Sequence, residues 1–161
     1  LYQIHPVAPV IINQQITALN NEFNFSAIKL GALGSAKNAI LIGQWIKKLK
    51  MVNQELSIIL DPVIKASDGG ALGDNELQNV LLNEVIPYCT LITPNEPELN
   101  ALSGNDNYHT AIEQFISLGV SVLITGGHTK NTVEGKLENL LITGSGEQKS
   151  WKINEYGKKC W

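Results

Sequence analysis

Three short apolar runs, each cut off by polar or turn-forming residues, constrain this chain more than anything else in it. Leu56-Ser57-Ile58-Ile59-Leu60 ends in Asp61-Pro62-Val63, and Leu91-Ile92-Thr93 ends in Pro94-Asn95-Glu96-Pro97-Glu98. Val120-Ser121-Val122-Leu123-Ile124 ends in Thr125-Gly126-Gly127-His128. Runs this short and this continuously apolar read as strands buried in a sheet, and the segments between them carry helical spacing instead.

The helical segments follow from that spacing. Pro9 through Asn21 places Ile12, Ile16 and Leu19 on one face, predicted to be buried. Ala27 to Leu30 reads as a short strand. Ser35 then caps a helix with Ile42, Trp45, Ile46 and Leu49 on one stripe and Lys47, Lys48 and Lys50 crowding its last turn, where cations complement the helix dipole. Trp45 on that stripe is a core residue. A glycine-rich loop from Pro62 to Gly73 leads to a helix from about Asp74, with Leu77, Val80, Leu81 and Val85 in register until Pro87 stops it. Pro97 to Leu102 forms a short helix, and Ala111, Ile112, Phe115, Ile116 and Leu118 another, closed by Gly119 in a left-handed cap. Leu137 to Thr143 and Gln148 to Ile153 flank Gly144-Ser145-Gly146-Glu147 as a hairpin. Strand and helix alternate, which predicts an α/β fold: an open, mostly parallel sheet covered on both faces, with a C-terminal β-hairpin.

Composition narrows the function classes. The chain has 161 residues, enough for one domain, and 12 basic against 15 acidic side chains, with a sequence pI of about 5.6. No basic stripe is present to neutralise a nucleic-acid backbone, and no apolar run approaches the roughly 18 residues of a membrane span. Neither nucleic acid nor membrane is an expected partner. Cys89 and Cys160 lie far apart without a C-x-x-C motif, which predicts no disulfide framework or zinc site and suits a cytoplasmic setting. The chain opens on Leu1, and its single methionine is Met51, so it reads as a piece of a longer polypeptide.

In a doubly wound sheet, ligands bind beyond the carboxyl ends of the strands, so the tips after Leu60, Ile92 and Ile124 are expected to share one crevice. Asp61 and Glu98 are candidate oxygen ligands for magnesium, directly or through water. Asn95 and Glu98, three apart on an opening helical turn, would join such a site, where backbone N–H groups also favour phosphate. Plainer readings stay open. Asn95-x-x-Glu98 also matches a capping box, Asp61 before Pro62 also starts a turn, and Gly126-Gly127 also reverses a chain. His128 reads as a loop histidine, and His5 and His109 carry still less. The glycines form neither G-x-G-x-x-G after a strand nor G-x-x-x-x-G-K.

Four stretches in order carry a family resemblance: Ile28-Lys29-Leu30-Gly31-Ala32-Leu33-Gly34-Ser35, Leu60-Asp61-Pro62-Val63, Ile92-Thr93-Pro94-Asn95-Glu96-Pro97-Glu98 and Val122-Leu123-Ile124-Thr125-Gly126-Gly127-His128. They resemble the bacterial hydroxymethylpyrimidine/phosphomethylpyrimidine kinases of thiamine synthesis, in the ribokinase-like superfamily, as do Pro6-Val7 and Gln14-Gln15 ahead of the first strand. The resemblance implies a three-layer α/β/α fold of which residues 1–161 are the central part of a single kinase domain. It implies further family segments on the N- and C-terminal sides of this stretch. It implies phosphoryl transfer from ATP, with magnesium, onto 4-amino-5-hydroxymethyl-2-methylpyrimidine or its monophosphate, and a homodimer. By resemblance, Asp61 is the acidic residue near magnesium and phosphate, Val63 an apolar wall for the pyrimidine, and Asn95 with Glu98 the metal-associated pair. Thr125, Gly126 and Gly127 fall in the ATP-phosphate loop, where the family has a lysine in place of Thr125. Gly157 and Cys160 fall in the catalytic anion-hole segment, which otherwise departs from the family's His-Gly-Thr/Ser-Gly-Cys-Thr. Those departures leave a non-catalytic nucleotide- or pyrimidine-binding module as the alternative, with an unrelated flavodoxin-like domain as a third reading.

Overall fold

Strands β1 (Ala27–Leu30), β2 (Ser57–Leu60), β3 (Leu91–Ile92) and β4 (Ser121–Ile124) lie side by side in chain order, all parallel. Strands β5 (Lys136–Ile142) and β6 (Gln148–Asn154) follow antiparallel and complete a six-stranded sheet. This computed structural model describes residues 5–64, 73, 76–105, 107–125 and 136–154. The α/β architecture, the mostly parallel sheet and the terminal hairpin are those the sequence predicts.

Parallel neighbours need a crossover, and a right-handed crossover between strands laid down in one direction keeps returning to the same face. Burial follows that rule. Ile28, Leu30, Ile58, Leu60, Ile92, Val122 and Ile124 point to one face and are buried, in one core with Ile42 and Ile46 of α2 (Ala36–Val52) and Ala111 and Phe115 of α5 (Tyr108–Ile116). Each such aliphatic side chain contributes about 1.5–3 kcal/mol. On the opposite face Lys29 is exposed and Ile59, Leu91 and Leu123 are half-buried. Cover among the described residues is therefore unequal.

Helix α2 begins as predicted. Ser35 accepts a hydrogen bond from the Asn38 backbone N–H at 3.3 Å. The Asn38 side chain, 2% exposed, donates through Nδ2 to the carbonyls of Val7 (3.1 Å) and Leu33 (3.0 Å), tying the segment before α1 (Pro9–Glu22) to the loop after β1. Helix α1 differs from its prediction. None of its residues is buried: Ile12 and Ile16 rest half-buried on the core, while Leu19 is 49% exposed.

The third helix also departs from expectation. It runs α-helical over Leu77–Val80 (α3), widens into a π turn over Leu81–Val85 and tightens into a 3-10 turn over Ile86–Tyr88. Pro87 thus sits inside the last turn instead of stopping the helix ahead of it. Proline has no N–H to donate and its ring clashes with the carbonyl four residues back, and the change of pitch relieves both conflicts. The predicted start near Asp74 lies outside the described residues.

Helix α4 (Glu96–Ser103) ends at Gly104 in the left-handed region, φ 64°. Helix α5 starts three residues earlier than Ala111, because Asn107 Oδ1 accepts from the backbone N–H groups of His109 (3.0 Å) and Thr110 (3.2 Å). Gly119 adopts φ 76°, the left-handed turn read from the sequence.

Gly43 marks the closest approach in the helical layer. A Cβ there would collide with the carbonyl oxygen of Glu84, so α2 packs against the π turn only because position 43 has no side chain. Gly43→Ala is expected to cost about 1–3 kcal/mol through forced backbone displacement. Its denaturation midpoint measures this, and an unchanged midpoint would contradict the packing described.

Candidate functional site

The parallel ladder carries the carboxyl ends of β1 to β4 to one rim. Asp61 N–H donates to the Leu30 carbonyl (2.9 Å), Thr93 N–H to that of Leu60 (2.9 Å), and Thr125 N–H to that of Pro94 (3.2 Å). Asn95 and Thr125 form a parallel bridge of their own. Asp61, the extended Thr93–Asn95 segment and Thr125 thus follow one another across neighbouring strand tips, the position where open parallel sheets bind ligands.

Asp61 sits on a tight turn. Val63 N–H donates back to the Asp61 carbonyl at 2.8 Å, a three-residue turn for which Pro62 pre-sets the backbone. Pro62 and Ile64 are buried and Val63 is half-buried, so the turn is anchored below while Asp61 stays 36% exposed at its side chain. Lys29 Nζ lies 3.4 Å from Asp61 Oδ2.

Asn95 and Glu98 form a complete capping box at the start of α4. Asn95 Oδ1 accepts from Glu98 N–H at 2.9 Å, and Glu98 Oε2 accepts from Asn95 N–H at 3.0 Å. The capping role left open by the sequence is therefore realised, with Glu96 and Glu98 in the first turn complementing the helix dipole.

Asp61, Asn95 and Glu98 offer oxygen donors only, the chemistry magnesium prefers. One oxygen each of Asn95 and Glu98 is already engaged by the box, and among the described residues no group of three or more His, Cys, Asp or Glu side chains is gathered for a metal. The donor set suits a magnesium ion that keeps most of its water, held chiefly through Asp61, and does not suit a cage made wholly of protein ligands. Gly126, Gly127, His128, Gly157 and Cys160 lie outside the described residues.

Two further groups complete the chemical picture. Burial, followed by the charges of Glu96 and Glu138, pushes the Tyr108 hydroxyl above its usual range, so at neutral pH it remains a hydrogen-bond donor. The buried Cys89 thiol lies ahead of β3, at the end of the sheet away from the rim. Burial pushes it up to about 12, against a small opposing effect of Lys50, so it stays an inert thiol. Lys29 is the rim residue that sequence reading passed over. Its signal was a charge at the third position of the otherwise apolar strand Ala27-Ile28-Lys29-Leu30, beside a strand ending in aspartate.

Comparison with known proteins gives this rim a context. The phosphomethylpyrimidine kinase family model matches residues 1–157. The hydroxymethylpyrimidine/phosphomethylpyrimidine kinase of Aquifex aeolicus (strain VF5) is 32% identical over 136 residues, 81% of this chain and 52% of that protein. Its counterpart in Bacillus subtilis (strain 168) is 31% identical over 151 residues, 90% of this chain and 54% of that protein. The crystal structure of the phosphomethylpyrimidine kinase of Clostridium difficile 630 superposes with a TM-score of 0.75 at 26% identity, covering 93% of this chain and 64% of that one. The chain spans about half the length of the curated relatives it matches. With a matching fold, rim motifs in the expected order and a family model that fits from end to end of the described residues, this chain belongs to the phosphomethylpyrimidine kinase family.

Proposed function

We propose that this chain is the central part of a single kinase domain that transfers a phosphoryl group from ATP onto hydroxymethylpyrimidine or its monophosphate in thiamine synthesis. The observation that carries this reading is the convergence of Asp61-Pro62-Val63 and Thr93-Pro94-Asn95 on one rim of the parallel sheet, in a chain whose relatives are named as that kinase. Phosphoryl transfer asks little covalent chemistry of a protein and depends on positioning and charge compensation, which strand tips fixed by a hydrogen-bonded ladder can provide.

Each rim residue has a place in this reading. Asp61 is the carboxylate that holds a hydrated cation against the phosphates. Val63, half-buried beside it, forms an apolar wall for the pyrimidine ring. Asn95 and Glu98 fix the start of α4 at the rim, with their polar side chains turned to the same end. Thr125 and the glycines after it belong to the ATP-phosphate loop, and Gly157 with Cys160 to the anion-hole segment. Magnesium, when bound, supplies charge neutralisation between the phosphate oxygens. A homodimer in the cytoplasm is part of the same proposal, and a reducing compartment suits the free buried thiol of Cys89.

Two outcomes are expected. Magnesium-ATP at about a hundredfold excess over its Kd should raise the melting temperature by roughly 5–10 °C, and Asp61→Ala should abolish that rise. No rise with ATP, ADP or hydroxymethylpyrimidine in the parent chain would contradict the proposal. The second outcome separates capping from metal binding at Glu98. A Gln side chain can complete the box, so Glu98→Gln should melt within about 0.5 kcal/mol of the parent, whereas Asn95→Ala should lose about 0.5–2 kcal/mol. If Glu98 also serves the cation, Glu98→Gln loses magnesium-dependent ATP binding while keeping its stability; full retention would leave Glu98 a cap alone.

A further inference from the structure

We propose that Lys29 is a phosphate-binding residue of the rim, paired with Asp61 and transferred to nucleotide phosphate oxygens when nucleotide binds. The proposal rests on the kinase reading above and names a residue which that reading does not use. Lys29 lies on the face of β1 opposite Ile28 and Leu30, pairs in register with Ile59, and keeps a side chain 67% exposed. Its stem carries Nζ to 3.4 Å from Asp61 Oδ2 on the next strand tip, so the ammonium reaches the carboxylate that the magnesium site depends on.

A lysine on an outer strand has a plainer use, since charge there discourages edge-to-edge pairing. That use needs no partner. An ion pair this exposed contributes little to stability, so the pairing with Asp61 is not explained by folding. Charge supplies a better reason. The described tips carry Asp61, Glu96 and Glu98, and the neighbouring Thr125 is neutral, so a polyphosphate approaching the rim meets carboxylates first. An ammonium on a flexible four-carbon stem offsets that repulsion and moves between acceptors by rotation of its own side chain. With a cation bound, Asp61 turns to the cation and Lys29 is released to phosphate. Without one, Asp61 and phosphate compete for the same ammonium.

That competition gives a signature that a structural lysine would not produce. Binding of magnesium-ATP and of metal-free ADP to the full chain is measured by titration calorimetry for the parent, Lys29→Met, Lys29→Arg, Asp61→Asn and the Lys29→Met/Asp61→Asn double variant. Lys29→Met should weaken magnesium-ATP by roughly 10- to 100-fold, the effect of losing a charge-assisted hydrogen bond, with Lys29→Arg recovering most of the loss and melting temperatures nearly unchanged. Asp61→Asn should tighten metal-free ADP, and adding Lys29→Met should erase that gain. A parent that binds magnesium-ATP while Lys29→Met binds it equally well overturns the Lys29 assignment and leaves the kinase reading standing. Failure of Asp61→Asn to tighten metal-free ADP also overturns it. A parent that binds neither nucleotide overturns the kinase reading, and the Lys29 role with it.

Discussion

The register of the parallel ladder is the constraint on which the rest depends. Side chains alternate with a period of two along a strand, so a slip of one residue would exchange Ile28, Leu30, Ile58, Leu60, Ile92, Val122 and Ile124 for their half-exposed neighbours on the other face. Burial of that set under α2 and α5 therefore fixes how the strands pair. At the foot of the sheet, Thr90 reinforces the choice, its hydroxyl accepting from Ile58 N–H at 3.1 Å. Once Leu60 is opposite Ile92, the residues immediately beyond have no freedom to go elsewhere: Asp61 and Thr93 arrive side by side, and Asn95 meets Thr125. The same alternation that buries Leu30 turns Lys29 outward, within reach of Asp61.

Much of this was legible because it is local. The helical stripe Ile42, Trp45, Ile46 and Leu49, the Ser35 cap, the left-handed Gly119 and the hairpin around Gly144 to Glu147 each rest on spacing or on the chemistry of a single residue. What escaped depended on partners distant in sequence. The periodicity of α1 named Ile12, Ile16 and Leu19 as one face without showing how deeply that face is covered: Ile12 and Ile16 are half-buried and Leu19 is 49% exposed. Pro87 signals a stop because a proline normally breaks an α-helix, but the segment stays helical by altering its pitch, with Gly43 giving the π turn room to approach α2. Asn107 was missed as a cap because the apolar pattern becomes regular only at Ala111.

Site and scaffold share their polar groups. The capping box satisfies backbone N–H groups that α4 would otherwise expose, and in doing so fixes the side chains of Asn95 and Glu98 at the rim. The Asp61-Pro62-Val63 turn, needed to end β2 on a buried Pro62, likewise sets the Asp61 carboxylate outward. From sequence alone the structural and chemical readings of these residues were alternatives. In the folded chain a residue used as a cap remains in place for chemistry, and this is why neither reading could be removed by motif matching. The ATP-phosphate role of Thr125, Gly126 and Gly127 and the anion-hole role of Gly157 and Cys160 were readable only by resemblance, since no periodic pattern assigns them.

A paramagnetic cation tests most directly whether neighbouring strand tips form one crevice. Manganese added to isotope-labelled chain together with ADP should broaden the backbone amide signals of Asp61, Val63, Thr93, Asn95 and Glu98 as a group and spare those around Cys89 at the opposite end of the sheet. Broadening centred elsewhere, or of the Asp61 turn without Thr93 and Asn95, would contradict the single crevice.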